Sequence, residues 1–222
     1  MASGPVAHFS RSTECRSQLT NSDMDVIEIV ERLSGRVPDS RCFRGDHDLN
    51  PGMMPDDVLK AAAVLVPLVL RQDHITVLFT RRTDDLAHHP GQVSFPGGHV
   101  DAIDDGPEDA ALRETEEEVS LSRRHIKIIG RLDTYKTRTG FSVVPVVGLV
   151  TPPFDIEPDP GEVAEVFEVP LNFLMDPDNH ERHSREFQGK PREYYAMPYN
   201  GHFIWGATAG MVINLYDILT GE

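Results

Sequence analysis

The order of apolar and polar residues predicts a set of helices and strands. Apolar residues recur at helical spacing at Val26, Ile27, Val30 and Leu33, which predicts a short helix with Ser22 as its cap. Apolar runs that are rich in β-branched side chains and bounded by turn residues predict strands. The predicted strands cover residues 62–69, 75–80, 93–95, 126–132, 143–150 and 203–205.

Other segments give weaker or different signals. Residues 108–119 and 207–219 are predicted helices, and residues 171–175 begin a short one. Residues 35–55, rich in glycine, proline, aspartate and arginine, are predicted to form a loop, and residues 162–169 mix strand and turn signals. Because strands and helices alternate without a strict β-α-β rhythm, the pattern predicts the α/β class, as a sandwich with a mixed sheet.

Length and composition are typical of a folded protein with one main domain. The 222 residues fit a single core, since cores commonly grow to ~250 residues before they split. The longest apolar run, residues 61–70, contains a proline and is far shorter than the ~20 residues that span a bilayer. No secretory signal is recognisable, and Cys15 and Cys42 are the only cysteines, so we predict a cytoplasmic protein. A disulfide between these two cysteines is the alternative to two free thiols.

The net charge of −15 restricts the partners of the protein. It argues against sequence-independent binding of nucleic acid, which needs a basic surface to displace counterions. An anionic small molecule would also be repelled unless metal cations mediate the contact. The charge therefore favours a metal-dependent site over a bare anion-binding site.

A group of glutamates in the predicted helix 108–119 provides candidate metal ligands. Glu114, Glu117 and Glu118 stand at positions i, i+3 and i+4, so their carboxylates share one face of the helix. Like charges at this spacing destabilise a bare helix, and Mg²⁺ or Mn²⁺, which prefer carboxylate oxygens, would remove the repulsion. Taken alone, such a run is more often a solvated acidic face.

The turn before this helix changes that balance. Phe95, Pro96, Gly97 and Gly98 end a predicted strand, and the two glycines leave the backbone open to close approach by a ligand. The chain thus predicts a strand, a loop and an acidic helix in succession. This arrangement suits a site that binds a diphosphate together with metal ions.

These residues resemble the Nudix signature, G-x5-E-x7-R-E-U-x-E-E-x-G-U, where U is a bulky aliphatic residue. Gly98 opens the match, and Arg113, Glu114, Glu117 and Glu118 occupy the charged positions near its end. The sequence departs from the signature at a few positions. Asp104 or Asp105 stands where the first glutamate belongs, in a connection one residue longer, while Thr115 replaces an aliphatic residue and Ser120 the late glycine.

The segment before the signature resembles the extra motif of the coenzyme A pyrophosphatases. Arg82 and Gly91 fall in register with that motif, Thr83 replaces its serine, and Ala87 stands where its second arginine is expected. The resemblance extends over residues 62–219. It implies a Nudix-type α/β/α sandwich with a mixed β-sheet over residues 61–222, preceded by an extension, residues 1–60, with a short helix and a loop.

The resemblance also implies an activity. The expected enzyme is a diphosphatase that cleaves coenzyme A or acyl-CoA to 3′,5′-ADP and 4′-phosphopantetheine or its acyl form. Because of Ala87, a Nudix hydrolase of another nucleoside diphosphate compound, such as ADP-ribose, a dinucleotide or a nucleoside triphosphate, is the alternative. A non-catalytic nucleotide-binding module ranks last, since the three glutamates are all present. The expected partner is the nucleotide substrate, and no binding to nucleic acid or membrane is expected. The assembly state is left open between a monomer and a homodimer.

Roles for individual residues follow from the same resemblance. Glu114, Glu117 and Glu118, with the carbonyl of Gly98, would bind Mg²⁺ or Mn²⁺, and Arg113 would orient the carboxylates. Gly97, Gly98, Arg82 and Arg81 would contact the substrate. The base that activates water is expected to be Glu117 or a glutamate outside the signature, for which Glu162 and Glu165 are the candidates.

Two further groups are weaker candidates. Lys136 and Arg138 lie within reach of a 3′-phosphate of coenzyme A, although a solvated loop is the favoured interpretation. Tyr199, Phe203 and Trp205 are interpreted as core or sheet-edge aromatics rather than as a surface that stacks on adenine.

Overall fold

The computed structural model describes residues 25–36, 38, 43–52, 58–85, 89–187 and 189–221. Several sequence predictions concern residues outside these ranges, namely those for Cys15, Ser22, Cys42 and Ala87. The helices and strands below are those of the described residues. In chain order they are α1 (Val26–Leu33), β1 (Arg44–Gly45), β2 (Lys60–Leu70), β3 (Ile75–Arg82), β4 (Val93–Ser94), β5 (Gly97–His99), α2 (Pro107–Val119), β6 (Ile126–Arg131), β7 (Tyr135–Lys136), β8 (Phe141–Val150), β9 (Val163–Pro170), α3 (Leu171–Leu174), β10 (Glu181–Phe187), β11 (Lys190–Tyr199), β12 (His202–Trp205) and α4 (Gly206–Thr220).

The larger sheet is mixed, as the sequence predicts. Its strand order is β1-β7-β8-β2-β3-β4, with β5 paired to β2, β6 to β8 and β9 to β3. Strands β2 and β8 run parallel, from Lys60 opposite Phe141 to Val69 opposite Val150. Strands β3 and β5 both run antiparallel to β2. Strand β2 is thus the centre of the sheet and holds β5, which carries the glycine turn.

Helices cover both faces of this sheet. On β2, Val66 and Leu68 belong to the core cluster that includes residues of α1 and α4. Ala63 and Leu65, which point to the opposite face of β2, pack instead with Ala110 and Ala111 of α2. Because successive strand residues point to opposite faces, a strand covered on both sides needs a nearly continuous apolar sequence, and β2 has one. The predicted α/β/α sandwich is confirmed.

The N-terminal segment differs from its prediction in two respects. The cap of α1 is Asp25, whose side chain accepts a hydrogen bond from the N–H of Ile27, so the predicted cap at Ser22 lies too early. Residues 35–55 are not entirely loop, since Arg44 and Gly45 pair in parallel with β7. This short strand lacks an apolar pattern and is defined only by its pairing. The boundary predicted near residue 60 stays a prediction.

A second sheet was not predicted from the sequence. Strands β10, β11 and β12 form an antiparallel sheet, with Glu181 opposite Ala196 and Ala196 opposite Trp205. Much of β10 and β11 is charged and exposed, so the apolar alternation that identifies a strand is weak there. Strand β12 leads directly into α4. None of the helices in the described ranges is long and apolar enough to span a bilayer.

Candidate active site

Two glycines let the backbone of β5 fit between β2 and α2. Gly97 has φ of +151° and lies so close to β2 that an added Cβ would be 2.4 Å from the carbonyl oxygen of Ala63. At Gly98 an added Cβ would be 2.5 Å from the carboxyl carbon of Glu114. The absence of side chains at these positions therefore brings the Glu114 carboxylate against the strand backbone.

Helix α2 accommodates both unusual residues of the signature. Thr115, which stands in place of an aliphatic residue, is fully buried, and its hydroxyl donates to the carbonyl of Ala111 at 2.6 Å. Ser120, which replaces the glycine, ends the helix in the left-handed conformation with φ of 58°, and its N–H donates to the carbonyl of Glu116. Both departures therefore keep the helix intact.

Arg113 connects the loop to the carboxylates of the helix. Its guanidinium binds both oxygens of Asp104, at 2.8 and 3.0 Å, and donates to the carbonyl of His99 at 3.1 Å. The remaining nitrogen, Nη1, donates to Glu114 at 3.0 Å and to Glu117 at 3.1 Å. Arg113 thus positions two of the three predicted metal ligands, as the resemblance implies, and ties them to the loop.

The loop residue that pairs with Arg113 is Asp104 and not Asp105. The Asp104 side chain is 1% exposed, and its hydrogen bonds with Arg113 lower the pKa of the carboxyl to about 2. Asp105 uses its backbone N–H to bind Asp109 in the first turn of α2. The sequence left these two neighbours open, since either fits the longer loop.

Glu118 is the buried member of the carboxylate group. It is 6% exposed and accepts a hydrogen bond from the backbone N–H of Gly97 at 3.3 Å. Burial raises the pKa of this carboxyl to about 8, and the negative charges of Glu114 and Glu162 add to the rise. The Gly97 N–H and the positive charge of Arg82 act in the opposite direction. A buried carboxyl of this kind would be stabilised in its charged form by a nearby cation.

The donors present are suited to a hard divalent cation. Glu114 and Glu118 are partly and largely buried, Glu117 is 61% exposed, and the backbone of Gly98 lies against the Glu114 carboxylate. Burial also raises the pKa of Glu114, against the influence of Arg113. Such crowded oxygen donors are the ligands that Mg²⁺ or Mn²⁺ prefers. Among the described residues, no three acidic, histidine or cysteine side chains already converge as a closed metal site.

The two neighbouring arginines of β3 have different surroundings. Arg82 pairs in register with Val163 of β9, and its positive charge lowers the pKa of Glu118. Arg81 forms ion pairs with Glu165 of the adjacent strand at 3.4 Å and with Asp84 at 3.7 Å. The structure thus brings Arg82 to the site, whereas Arg81 is held by other carboxylates.

The two outer glutamates also have different surroundings. Glu162 raises the pKa of both Glu114 and Glu118, so its charge lies near the carboxylate group. Glu165 instead pairs with Arg81, and the ring of His202 lies 3.6 Å from its other oxygen. Sequence reasoning did not single out the carbonyl of His99, which binds Arg113, because a backbone acceptor has no signal in the sequence.

A glycine-lined strand joined to an arginine-bound carboxylate helix, on a mixed sheet between helices, defines a class of hydrolases that act on diphosphate bonds. The NUDIX domain model matches residues 59–188, more than half of the chain. The chain therefore belongs to the Nudix family, and the predicted superfamily and hydrolytic activity are confirmed. Nudix hydrolases generally use divalent metal ions.

Two relatives carry the same family name, and one solved structure shows a partial likeness. The chain is 40% identical over 164 residues to a protein of Enterobacter sp. (strain 638) named uncharacterized Nudix hydrolase NudL, with 73% of this chain and 85% of the relative covered. A protein of the same name from Photorhabdus laumondii is 37% identical over 69% of this chain and 82% of its own length. Among solved structures, an Ap4A hydrolase of C. elegans has 25% identity and a TM-score of 0.44, covering 50% of this chain and 80% of that one.

Proposed function

We propose that the enzyme cleaves the diphosphate of coenzyme A or acyl-CoA, to 3′,5′-ADP and 4′-phosphopantetheine or its acyl form. The observation that carries the proposal is the position of Arg82. It lies in the segment that resembles the coenzyme A motif, and its charge acts on Glu118 of the carboxylate helix. An arginine of that motif would thus contact a phosphate beside the metal ligands.

The residues of the site divide the chemical work. Glu114, Glu117 and Glu118, with the carbonyl of Gly98, would bind Mg²⁺ or Mn²⁺, which when bound neutralises the diphosphate and lowers the pKa of the attacking water. Arg113 holds Glu114 and Glu117 in position through its two hydrogen bonds.

The remaining roles belong to groups around the metal ligands. Arg82 and the backbone of Gly97 and Gly98 contact the substrate phosphates, and Arg81 would join them only by leaving its ion pair with Glu165. Glu117 and Glu162 are the two candidates for the base that accepts the proton of the attacking water. Both side chains are exposed to solvent. Glu117 accepts a hydrogen bond from Arg113, and the charge of Glu162 acts on Glu114 and Glu118.

A second substrate class is favoured by one observation. Ala87 stands where the coenzyme A motif carries its second arginine. The absence of that arginine favours ADP-ribose, dinucleotides or nucleoside triphosphates as substrates. A purely nucleotide-binding role is disfavoured because all three metal-binding glutamates are present. A cytoplasmic location and the assembly state remain predictions from the sequence.

A substrate panel tests the proposal directly. The protein is incubated with Mg²⁺ or Mn²⁺ and, separately, coenzyme A, acetyl-CoA, ADP-ribose, a diadenosine polyphosphate and a nucleoside triphosphate, and the products are separated by chromatography. We expect coenzyme A to give 3′,5′-ADP and 4′-phosphopantetheine, with the highest kcat/KM of the panel and no turnover after chelation of the metal. Faster cleavage of ADP-ribose, with no release of 3′,5′-ADP from coenzyme A, would refute it.

A further inference from the structure

A cavity of about 460 Å³ opens beside the three-stranded sheet, and none of the carboxylates of α2 lines it. Its walls come from β10 to β12, from the first turn of α4 and from three loops that contain Asp46, His89 and Thr137. The volume lies in the range of small-molecule sites, ~300–1,000 Å³. The cavity is therefore separate from the predicted metal ligands and needs a role of its own.

One wall of the cavity is aromatic. Trp205 and Tyr194 both line it, with ring centroids 5.3 Å apart and planes at 65°. The guanidinium of Arg185 lies 5.2 Å from the centroid of the Trp205 ring. These side chains are partly accessible, in contrast to the core aromatics of the larger sheet. A half-buried indole beside an arginine is a surface on which a nucleobase can stack.

The adjoining wall carries two arginines that face each other across neighbouring strands. Arg185 and Arg192 are directly opposite each other on neighbouring strands, an arrangement in which like charges are destabilising. Burial lowers the pKa of Arg192, and the positive charges of Arg138 and Arg185 lower it further. An anion between the facing side chains of Arg185 and Arg192 would relieve their repulsion.

Two acidic residues, Asp46 and Glu193, also line the cavity. Asp46 lies 3.6 Å from Arg192, and its two oxygens also accept hydrogen bonds from the Tyr135 hydroxyl and the backbone N–H of Arg138. Glu193 is exposed to solvent. The charge of Asp46 is thus shared among several groups.

The first turn of α4 adds to the same wall. Gly206, Ala207 and Thr208 line the cavity, no side chain caps the helix at Trp205, and the first turn holds no acidic residue. The N-terminus of a helix favours negative charge through its dipole and its open N–H groups. It supports an anion at this position without defining the site by itself.

We propose that this cavity binds the phosphorylated adenosine end of the substrate, with the adenine against Trp205 and Tyr194 and the phosphate monoester beside Arg185 and Arg192. This inference rests on the proposed function, since coenzyme A carries a phosphorylated adenosine on one side of its diphosphate. The cavity adjoins the segment that resembles the coenzyme A motif, because Gln92, which lines it, accepts a hydrogen bond from the N–H of Arg82.

The proposal gives Trp205 a role that the sequence does not predict, since its pattern favours a structural aromatic. The arginines of β10 and β11 were not singled out at all, because the hairpin that places them was not predicted. Their role depends on strand pairing, which brings residues together that show no local pattern.

The single tryptophan of the chain provides a direct assay. Adenosine 3′,5′-bisphosphate is titrated into the full-length protein without metal, and the fluorescence of Trp205 is followed. We expect saturable quenching, and we expect adenosine 5′-monophosphate, which lacks the second phosphate, to bind ~10-fold more weakly. That factor corresponds to one charge-assisted hydrogen bond, worth ~1.5 kcal/mol or more.

Two matched variants locate the effect. Arg185→Ala removes an exposed arginine above Trp205, so the fold should be unaffected, and we expect the bisphosphate to bind ~10-fold more weakly. Arg182→Ala is the control: Arg182 lies in the same strand over the ring of Tyr195 and does not line this cavity. We expect it to bind the bisphosphate like the unmodified protein. In hydrolysis of coenzyme A, Arg185→Ala should raise KM ~10-fold and change kcat less than ~3-fold.

The outcomes separate the two proposals. If coenzyme A is cleaved but Trp205 is not quenched and Arg185→Ala leaves KM unchanged, the cavity is not the adenosine site. The proposed substrate would still stand in that case. Equal affinity for the mono- and bisphosphate would overturn the phosphate contact. If the bisphosphate quenches Trp205 in an Arg185-dependent way but coenzyme A is not cleaved, the cavity stands as a nucleotide site and the proposed substrate falls.

Discussion

Gly97 and Gly98 are adjacent, yet alanine at each should fail in a different way. At Gly98 the three atoms nearest the new Cβ all belong to the Glu114 carboxylate, with 2.5 Å to its carboxyl carbon. The backbone of Gly98 lies outside the positive-φ region, so alanine fits its conformation. At Gly97 the new Cβ would meet the backbone of β2, 2.4 Å from the Ala63 oxygen and 2.5 Å from the Val64 Cα, with φ of +151°.

The magnitudes follow from these contacts. An ordinary carbon–carbon contact is ~3.5 Å, so Gly98→Ala requires the Glu114 carboxyl to move by about 1 Å. A displacement of ~1 Å at a catalytic group costs on the order of 100-fold in rate. Gly97→Ala must instead shift a central strand and adopt a conformation that costs ~1–2 kcal/mol, in addition to ~1–3 kcal/mol for overpacking.

Two measurements distinguish the variants. We expect Gly98→Ala to keep a Tm close to that of the unmodified protein, while kcat falls on the order of 100-fold with any substrate of the panel. We expect Gly97→Ala to lose roughly 2–5 kcal/mol of stability and to show a clearly lower Tm. Near-normal turnover of Gly98→Ala, or equal destabilisation of both variants, would show that Glu114 does not depend on this close approach.

Three further predictions concern the helix and its loop. Glu117→Gln should abolish most turnover and keep the fold. Glu116→Gln is the control, because Glu116 lies on the same helix but pairs with Arg123, and it should leave steady-state kinetics almost unchanged. Near-full activity of Glu117→Gln would mean that the metal site is misplaced. Because Arg113 lowers the pKa of Asp104 to about 2, the pair adds stability that is complete above the ordinary aspartate value of ~3.9 and is lost as pH falls from there towards 2. Asp104→Asn should flatten that part of the curve of unfolding free energy against pH, and an unchanged curve would contradict the pairing. Thr115→Val removes one buried hydroxyl, so denaturant unfolding should show a change of ~1 kcal/mol or less with normal turnover, and a larger loss would mean that the hydrogen bond to Ala111 is structurally essential.

The sequence by itself determined the elements that carry a strong local pattern. Three elements lie within two residues of their predicted bounds, namely β2, β8 and α2. For the two strands the reason is that burial on both faces of a sheet imposes a continuous apolar sequence. The signature also determined the reaction class, since the spacing of Glu114, Glu117 and Glu118 on one helix face is a local property.

Tertiary structure alone decided which of several similar neighbours reaches the site. Asp104 rather than Asp105 binds Arg113, and Glu162 rather than Glu165 lies near the carboxylates. The first choice depends on where the loop turns. The second depends on how the chain enters β9, since Glu162 precedes that strand and Glu165 lies within it. Local composition is similar for either candidate.

The three-stranded sheet shows the same limit more broadly. Strand β10 and the first half of β11 are largely polar, and backbone hydrogen bonds hold them together. Ala196 and Met197, near the end of β11, are buried against the core, but they are too few to reveal the hairpin in the sequence. Only this pairing places Arg185 opposite Arg192 and next to Trp205. The catalytic helix was therefore visible in the sequence, whereas the cavity proposed to recognise the substrate exists only through contacts between distant strands.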